Sequence, residues 1–224
     1  MQKNTRSFAH KSANSLQQLS KAIRHIDHIT YVGLWSEEEK FIREWNFLGF
    51  SESQRLHTTR FPATHIALTS GHVKGFPWAT MTGLSVSEDY NSPINEFIRR
   101  YGNGMQHAAY NIDPSADMEE LRKIMTPLGW TFMTPVLTYE DHHRAKLRQM
   151  FSAPMGPYGT FVEWIQRLPS PKGEVYGGFD TKNIDDLYEY YHDYSEWLLH
   201  RPLSLEIRPT ISTSEHVKHR GLHG

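Results

Sequence analysis

The strongest constraint in this sequence is a recurrence. One strand, one amphipathic helix and three further strands are read twice along the chain. In the first pass, Ile23 to Val32 is strand-like, with Ile26, His28, Thr30 and Val32 sharing one face. Ser36 then caps a helix that carries Glu37, Glu38 and Glu39 in its first turn. Phe41, Ile42, Trp45 and Leu48 form its apolar face, and Gly49 ends it. Gln54–Arg60, Ala63–Thr69 and Trp78–Val86 follow as strands separated by turn residues. A linking helix, Ser92–Tyr101, leads to the second pass: strand Met105–Ile112, helix Asp113–Gly129, then strands Trp130–Thr138, Ala145–Phe151 and Gly159–Ile165.

The two openings align on His28 and His107, 79 residues apart (28 to 107). That period exceeds solenoid repeats and predicts two paired modules in an α+β fold. The layout is a lead-in over 1–22, either flexible or a short surface helix, then a two-module domain over 23–200. Module one spans 23–91 and module two 102–168, with a C-terminal helix over 183–199 that carries Tyr188, Tyr191, Tyr194 and Trp197. The tail 201–224 stays unassigned.

Composition removes whole classes of function. With 24 basic and 25 acidic residues, the net charge of -1 gives no electrostatic reason to bind nucleic acid or an anionic membrane. No apolar run is long enough to span a bilayer, and the polar N-terminus carries no signal-peptide core, so a cytoplasmic location is expected. There is no cysteine, so disulfides, thiolate metal sites and cysteine nucleophiles are excluded. Any metal must sit on the 14 histidines, on carboxylates or on backbone oxygens.

Three positions carry the chemistry: His28, His107 and Glu163. Each lies within a strand. A carboxylate in Thr160-Phe161-Val162-Glu163-Trp164-Ile165 is costly to bury without a cation. Two imidazoles and one carboxylate form the facial set that binds non-haem Fe(II) and leaves positions open for substrate and O₂. The separations are too long for a local motif, so the set assembles only if the modules meet. His25 faces the other side of its strand and is the weaker ligand. His142 and His143 read as solvated, pointing apart.

Several segments resemble one family. Ile94-Asn95-Glu96-Phe97-Ile98-Arg99-Arg100-Tyr101-Gly102-Asn103-Gly104-Met105-Gln106-His107-Ala108-Ala109-Tyr110-Asn111 is similar to the stretch of 4-hydroxyphenylpyruvate dioxygenases that bears their second iron-binding histidine. Ile26-Asp27-His28-Ile29 resembles the first, and Gln149 to Arg167 resembles the stretch ending in the iron-binding glutamate. Gly177-Gly178-Phe179, with Asn183 and Leu187, is similar to the start of the gating helix. The resemblance covers 23–197, the family's catalytic half. It implies a vicinal oxygen chelate fold of paired βαβββ modules, with Fe(2+) on His28, His107 and Glu163. It also implies a 2-oxo acid bound to the iron through carboxylate and keto oxygens, with O₂ as co-substrate. Gln149, Phe179 and Ile184 fall at substrate-side positions.

Departures from the family pattern concern the substrate. Ile184 replaces an aromatic residue, Leu84-Ser85-Val86-Ser87-Glu88 replaces an Asn-Glu-Pro segment, and Pro93 stands where a glutamine is expected. The substrate is therefore expected to differ from 4-hydroxyphenylpyruvate. Two other readings stay open. A metal-dependent lyase or epimerase of the same fold would need a fourth ligand from the last strand of module one, which offers none. A small-molecule binding protein without catalysis would not need all three ligands. The fold allows a homodimer.

Overall fold

The computed structural model describes residues 15–70, 81–176 and 179–200. Module one contributes β1 (Ile23–Val32), α2 (Glu38–Phe47), β2 (Phe50–Thr58), β3 (Ala63–Ser70) and β4 (Met81–Val86). The linking helix is α3 (Pro93–Tyr101). Module two contributes β5 (Gly104–Ile112), α4 (Met118–Met125), β6 (Leu137–Glu140), β7 (Lys146–Phe151) and β8 (Phe161–Leu168). The chain then enters α5 (Thr181–His200). Residues 15–22 form a further helix, α1, so this part of the lead-in is helical. Its Ala22 is buried beside Ile112 and Met118. The tail and Gly177-Gly178 lie outside the described residues, as do residues 78–80 of the expected third strand.

The eight strands form one sheet in the order β2-β3-β4-β1-β5-β8-β7-β6, curled into a half-barrel. The centre is the antiparallel pair β1–β5, and each of these strands has its own module's last strand as a parallel neighbour on the other side. The sheet is thus pseudo-symmetric about the β1–β5 seam. Alternation along the strands sorts side chains between the two faces. Tyr31 packs with Phe41 and Trp45 of α2, while neighbouring Thr30 faces the cavity on the other side. Trp164 joins Met118, Leu121 and Met125 of α4, while neighbouring Glu163 faces the cavity. The cavity face is closed by α3 and α5, whose Phe97, Leu187, Tyr188 and Tyr191 pack with Val32, Phe151 and Phe161.

Several boundaries differ from the sequence reading, each for a local reason. Ser36 does not cap α2. It sits inside a 3-10 turn over Trp35–Glu37, and the capping position is Glu37, with no side-chain bond. Leu48 is exposed rather than part of the apolar face. The second helix starts later than expected, at Met118, because Asp117 accepts from the N–H groups of Glu119 and Glu120. Asp113 instead closes a turn onto Ser115 and pairs with Arg24. The expected strand Trp130–Thr138 shrinks to a single bridge, Phe132 to Ser152, followed by β6. Pro135 has no N–H to give a ladder, and Trp130 and Phe132 pack on Trp164 instead. Trp197 is half-exposed, so the apolar side of α5 is carried by Leu187, Tyr188 and Tyr191.

Candidate metal centre

Two bulges build the site. The β1–β5 register slips between Ile26 and His28 and again between Thr30 and Tyr31. The first slip makes Asp27 an extra residue in β1, and the second makes Gln106 an extra residue in β5. Bulges re-aim side chains beside functional sites. Ile26 is consequently half-exposed and does not share the buried face expected for it. His28, Thr30 and Val32 keep that face. Each bulged residue turns its own side chain onto the following histidine. Asp27 Oδ1 accepts from His28 Nδ1 at 3.0 Å, and Gln106 Oε1 accepts from His107 Nδ1 at 3.2 Å. Holding the proton on Nδ1 leaves the Nε2 lone pair of each ring free as a ligand.

The two rings meet edge to face, with centroids 5.5 Å apart. Glu163 Oε2 lies 3.2 Å from His28 Nε2 and 3.5 Å from His107 Nε2. All three side chains are buried, and one ligand atom from each falls within 4.8 Å of the others. His28 Nε2 and Glu163 Oε1 have no hydrogen-bond partner in the protein. Orphaned buried polar atoms are rare and call for an unseen partner. A divalent cation satisfies all of them at once, so the donor set fits a mononuclear metal. Among the described residues this is the one such group.

The metal-free electrostatics show the same complementarity. Burial alone would lower the His28 pKa, but the Glu163 charge and the Asp27 bond outweigh it and hold the group at about 9. Burial alone would raise Glu163, but His28 and His107 pull it down to about 2. His107 is lowered, chiefly by burial. Asp27 is held far below the usual carboxylate range: burial opposes this, but bonds from His28 and Arg167 prevail. Arg167 reaches it with two nitrogens, at 3.1 and 3.0 Å.

The same register identifies what stands opposite each ligand. His107 pairs with Phe161 and Ala109 with Glu163 in module two. In module one His28 pairs with Met81 and Thr30 with Gly83. Gly83 is therefore the counterpart of Glu163. It contributes no side chain, and its position lines the cavity. In the same way His65, paired with Ser85, is the counterpart of Gln149, paired with Ile165.

The three ligand candidates lie in a cavity of about 60 Å³, which Gln149, Phe179 and Ile184 also line. All six residues selected from the sequence thus share one cavity. Phe179 meets the His28 ring edge-on at 4.9 Å. Asn183 and Tyr188 of the C-terminal helix line the cavity too, whereas sequence reasoning assigned no role to His65 and Gln54 in the lining or to Asp27 and Gln106 behind the ligands. His65 is nearly enclosed and contacts Ser85 Oγ at 2.8 Å and Thr58 Oγ1 at 3.2 Å. Burial, and then the nearby His57, lower its pKa to about 3, so it is neutral. Its equivalence to Gln149 follows only from the strand register. His142 and His143 are exposed in a turn, their rings 3.7 Å apart rather than pointing away from each other.

No family model matches the chain, and no curated protein does. Among solved structures, a variant of 4-hydroxymandelate synthase from Streptomyces coelicolor superposes with a TM-score of 0.61 at 20% identity, over 76% of this chain and 55% of that one. The chain therefore spans about half the length of that synthase. A variant of Streptomyces coelicolor methylmalonyl-CoA epimerase gives a TM-score of 0.48 at 16% identity, over 65% of this chain and 98% of that one. The methylmalonyl-CoA epimerase of Mycobacterium tuberculosis gives 0.48 at 18%, over 67% and 91%. The fold is the vicinal oxygen chelate fold. No helix among the described residues is long and apolar enough to cross a membrane.

Proposed function

We propose that the chain is a mononuclear non-haem Fe(II)-dependent oxygenase acting on a small 2-oxo acid or a similar bidentate oxygen ligand. One observation carries this reading. Two buried imidazoles and one buried carboxylate converge in one cavity, while the fourth position of the pseudo-symmetric frame is a glycine. A three-ligand face leaves room for a chelating substrate and O₂, whereas a fourth protein ligand would block it. Gly83 therefore weighs against the lyase or epimerase reading.

His28, His107 and Glu163 would hold the iron, which when bound supplies Lewis acidity and the means to activate O₂. The remaining chemistry belongs to the chain. Asp27 and Gln106 keep the Nδ1 protons in place and aim Nε2 inward. Glu163 supplies one of the two negative charges needed to neutralise a divalent ion, leaving the other to an anionic substrate. Phe179, Ile184 and Leu187 exclude water from the reacting centre. Gln149 and His65 flank the cavity from equivalent strands and offer polar groups that orient the ligand.

The test is metal analysis of purified protein, followed by O₂ consumption with Fe(II) across a panel of 2-oxo acids. One iron per chain and uptake with at least one such acid are expected. Absence of stoichiometric metal binding would defeat the proposal. With Ile184 in place of an aromatic face, turnover of 4-hydroxyphenylpyruvate should stay below about 10⁴ M⁻¹s⁻¹ in kcat/KM, the lower edge of the ordinary enzyme range.

A further inference from the structure

The cavity is shaped by one side chain outside the ligand set. β2 is an edge strand, and its pairing with β3 slips by one residue between Glu52 and Gln54. Ser53 is the extra residue, and its hydroxyl donates to the Ala67 carbonyl at 3.1 Å. This bulge brings Gln54 to the cavity lining. There its carboxamide meets the backbone of Phe179, 125 positions away, with both of its groups. The Phe179 N–H donates to Oε1 at 3.1 Å, and Nε2 donates to the Phe179 carbonyl at 2.7 Å. Phe179 lies outside regular structure, two residues before α5. Gln54 therefore does for it what a neighbouring strand would do, satisfying donor and acceptor together. The ring so placed lies against His28.

We propose that Gln54 is a positioning residue, a latch from the edge of module one that fixes Phe179 over His28 and sets how readily the cavity opens. The proposal rests on reading this cavity as the binding site, but not on the identity of the metal or the reaction. A second tie, Arg60 to Glu189 at 2.6 and 2.5 Å, joins the β2–β3 turn to α5 on the exposed surface, and neither residue lines the cavity. It serves as the internal control.

The test is backbone amide hydrogen exchange on the full, metal-free chain, with urea unfolding alongside. In Gln54→Leu the Phe179 amide should exchange about 5- to 30-fold faster, the effect of one to two net hydrogen bonds. Ile112 and Ile165, in the sheet centre, should not change. Gln54→Glu keeps an acceptor for the Phe179 N–H and loses the donor, so its effect should be smaller. Arg60→Ala should leave Phe179 unaffected. In protein loaded with Fe(II) under anaerobic conditions, a strong chelator should strip the metal faster in the same order of variants. Unchanged Phe179 exchange in Gln54→Leu would overturn the latch. So would equal acceleration at Ile112 and Ile165, which would make Gln54 a residue of general stability. Failure of the metal reading would appear separately, as wild-type protein that binds no iron while the exchange result stands.

Discussion

Modules one and two present the same histidine from the same bulge, yet support it differently. In module one the backing group is the Asp27 carboxylate, locked by Arg167. In module two it is the neutral Gln106 carboxamide. Across from the residue two positions after each histidine, module two supplies Glu163 and module one supplies Gly83. The frame is symmetric and the chemistry is not. A fully symmetric pair would enclose the metal with four ligands and leave less of it open to a substrate. In the proposed metal site, the glycine leaves one side without a protein ligand.

The largest expected effect tests whether both modules are needed. His28→Ala, His107→Ala and Glu163→Ala should each abolish stoichiometric iron binding, checked by elemental analysis of protein that still shows cooperative unfolding. Retention of iron by either histidine variant would break the equivalence of the modules. Next, Gly83→Glu restores the missing side chain. Its Cβ would sit 3.1 Å from Thr30 Oγ1, so Thr30 must yield slightly. Iron should remain bound, while the anaerobic absorption band of a 2-oxo acid chelate should fall at least about tenfold. Gly83→Ala, with the same Cβ contact on Thr30 and no ligand, should keep the band.

The backing groups give the third prediction. Asp27→Asn removes the carboxylate charge paired with Arg167, which keeps its bond to the Tyr176 carbonyl, and should cost about 3–5 kcal/mol in urea unfolding. Gln106→Met removes a neutral partner and should cost about 1–3 kcal/mol. Each should weaken iron binding by roughly 10- to 100-fold. Equal stability losses would show that the ion pair behind His28 contributes nothing special.

The fourth prediction compares His65 with its counterpart Gln149. His65 is neutral in the fold, its pKa lowered to about 3, whereas the unfolded side chain titrates near 6.5. The unfolded state therefore binds more protons between these values. The stability that this group contributes is present above about pH 6.5 and is lost as the pH falls toward 3. From pH 6.5 to 4.5 the loss should approach about 2–3 kcal/mol. His65→Gln, which makes module one resemble module two, should flatten that part of the unfolding profile. The smallest effect concerns Ile184. Ile184→Phe adds a second ring to the cavity that Phe179 lines, and an aromatic pair with the substrate adds roughly 0.5–1.5 kcal/mol. The KM for an aryl 2-oxo acid should fall by up to about tenfold.

Recurrence and alternation in the sequence determined a good deal. They marked two modules, the strand positions of His28 and His107, and the ends set by Gly49 and Gly129. Glu163 was selected because a carboxylate in an apolar run needs a cation, a requirement already present in the residue types. The alternation in β8 was not legible, because helix and cavity cover its two faces and leave Phe161, Glu163, Trp164, Ile165 and Gln166 all buried.

Other features were decided only by tertiary structure. The bulges at Asp27, Ser53 and Gln106 arise from the register between strands, which neighbouring residues do not specify. The roles of Asp27, Gln54 and His65 depend on Arg167, Phe179 and Ser85, partners 140, 125 and 20 positions away. Gly83 acquires meaning only when the parallel pairing sets it beside Thr30, as Glu163 is set beside Ala109. The sequence by itself determined which groups are costly to bury. The fold decided which of them meet, because the pairing of strands across the seam fixes distances that sequence separation does not.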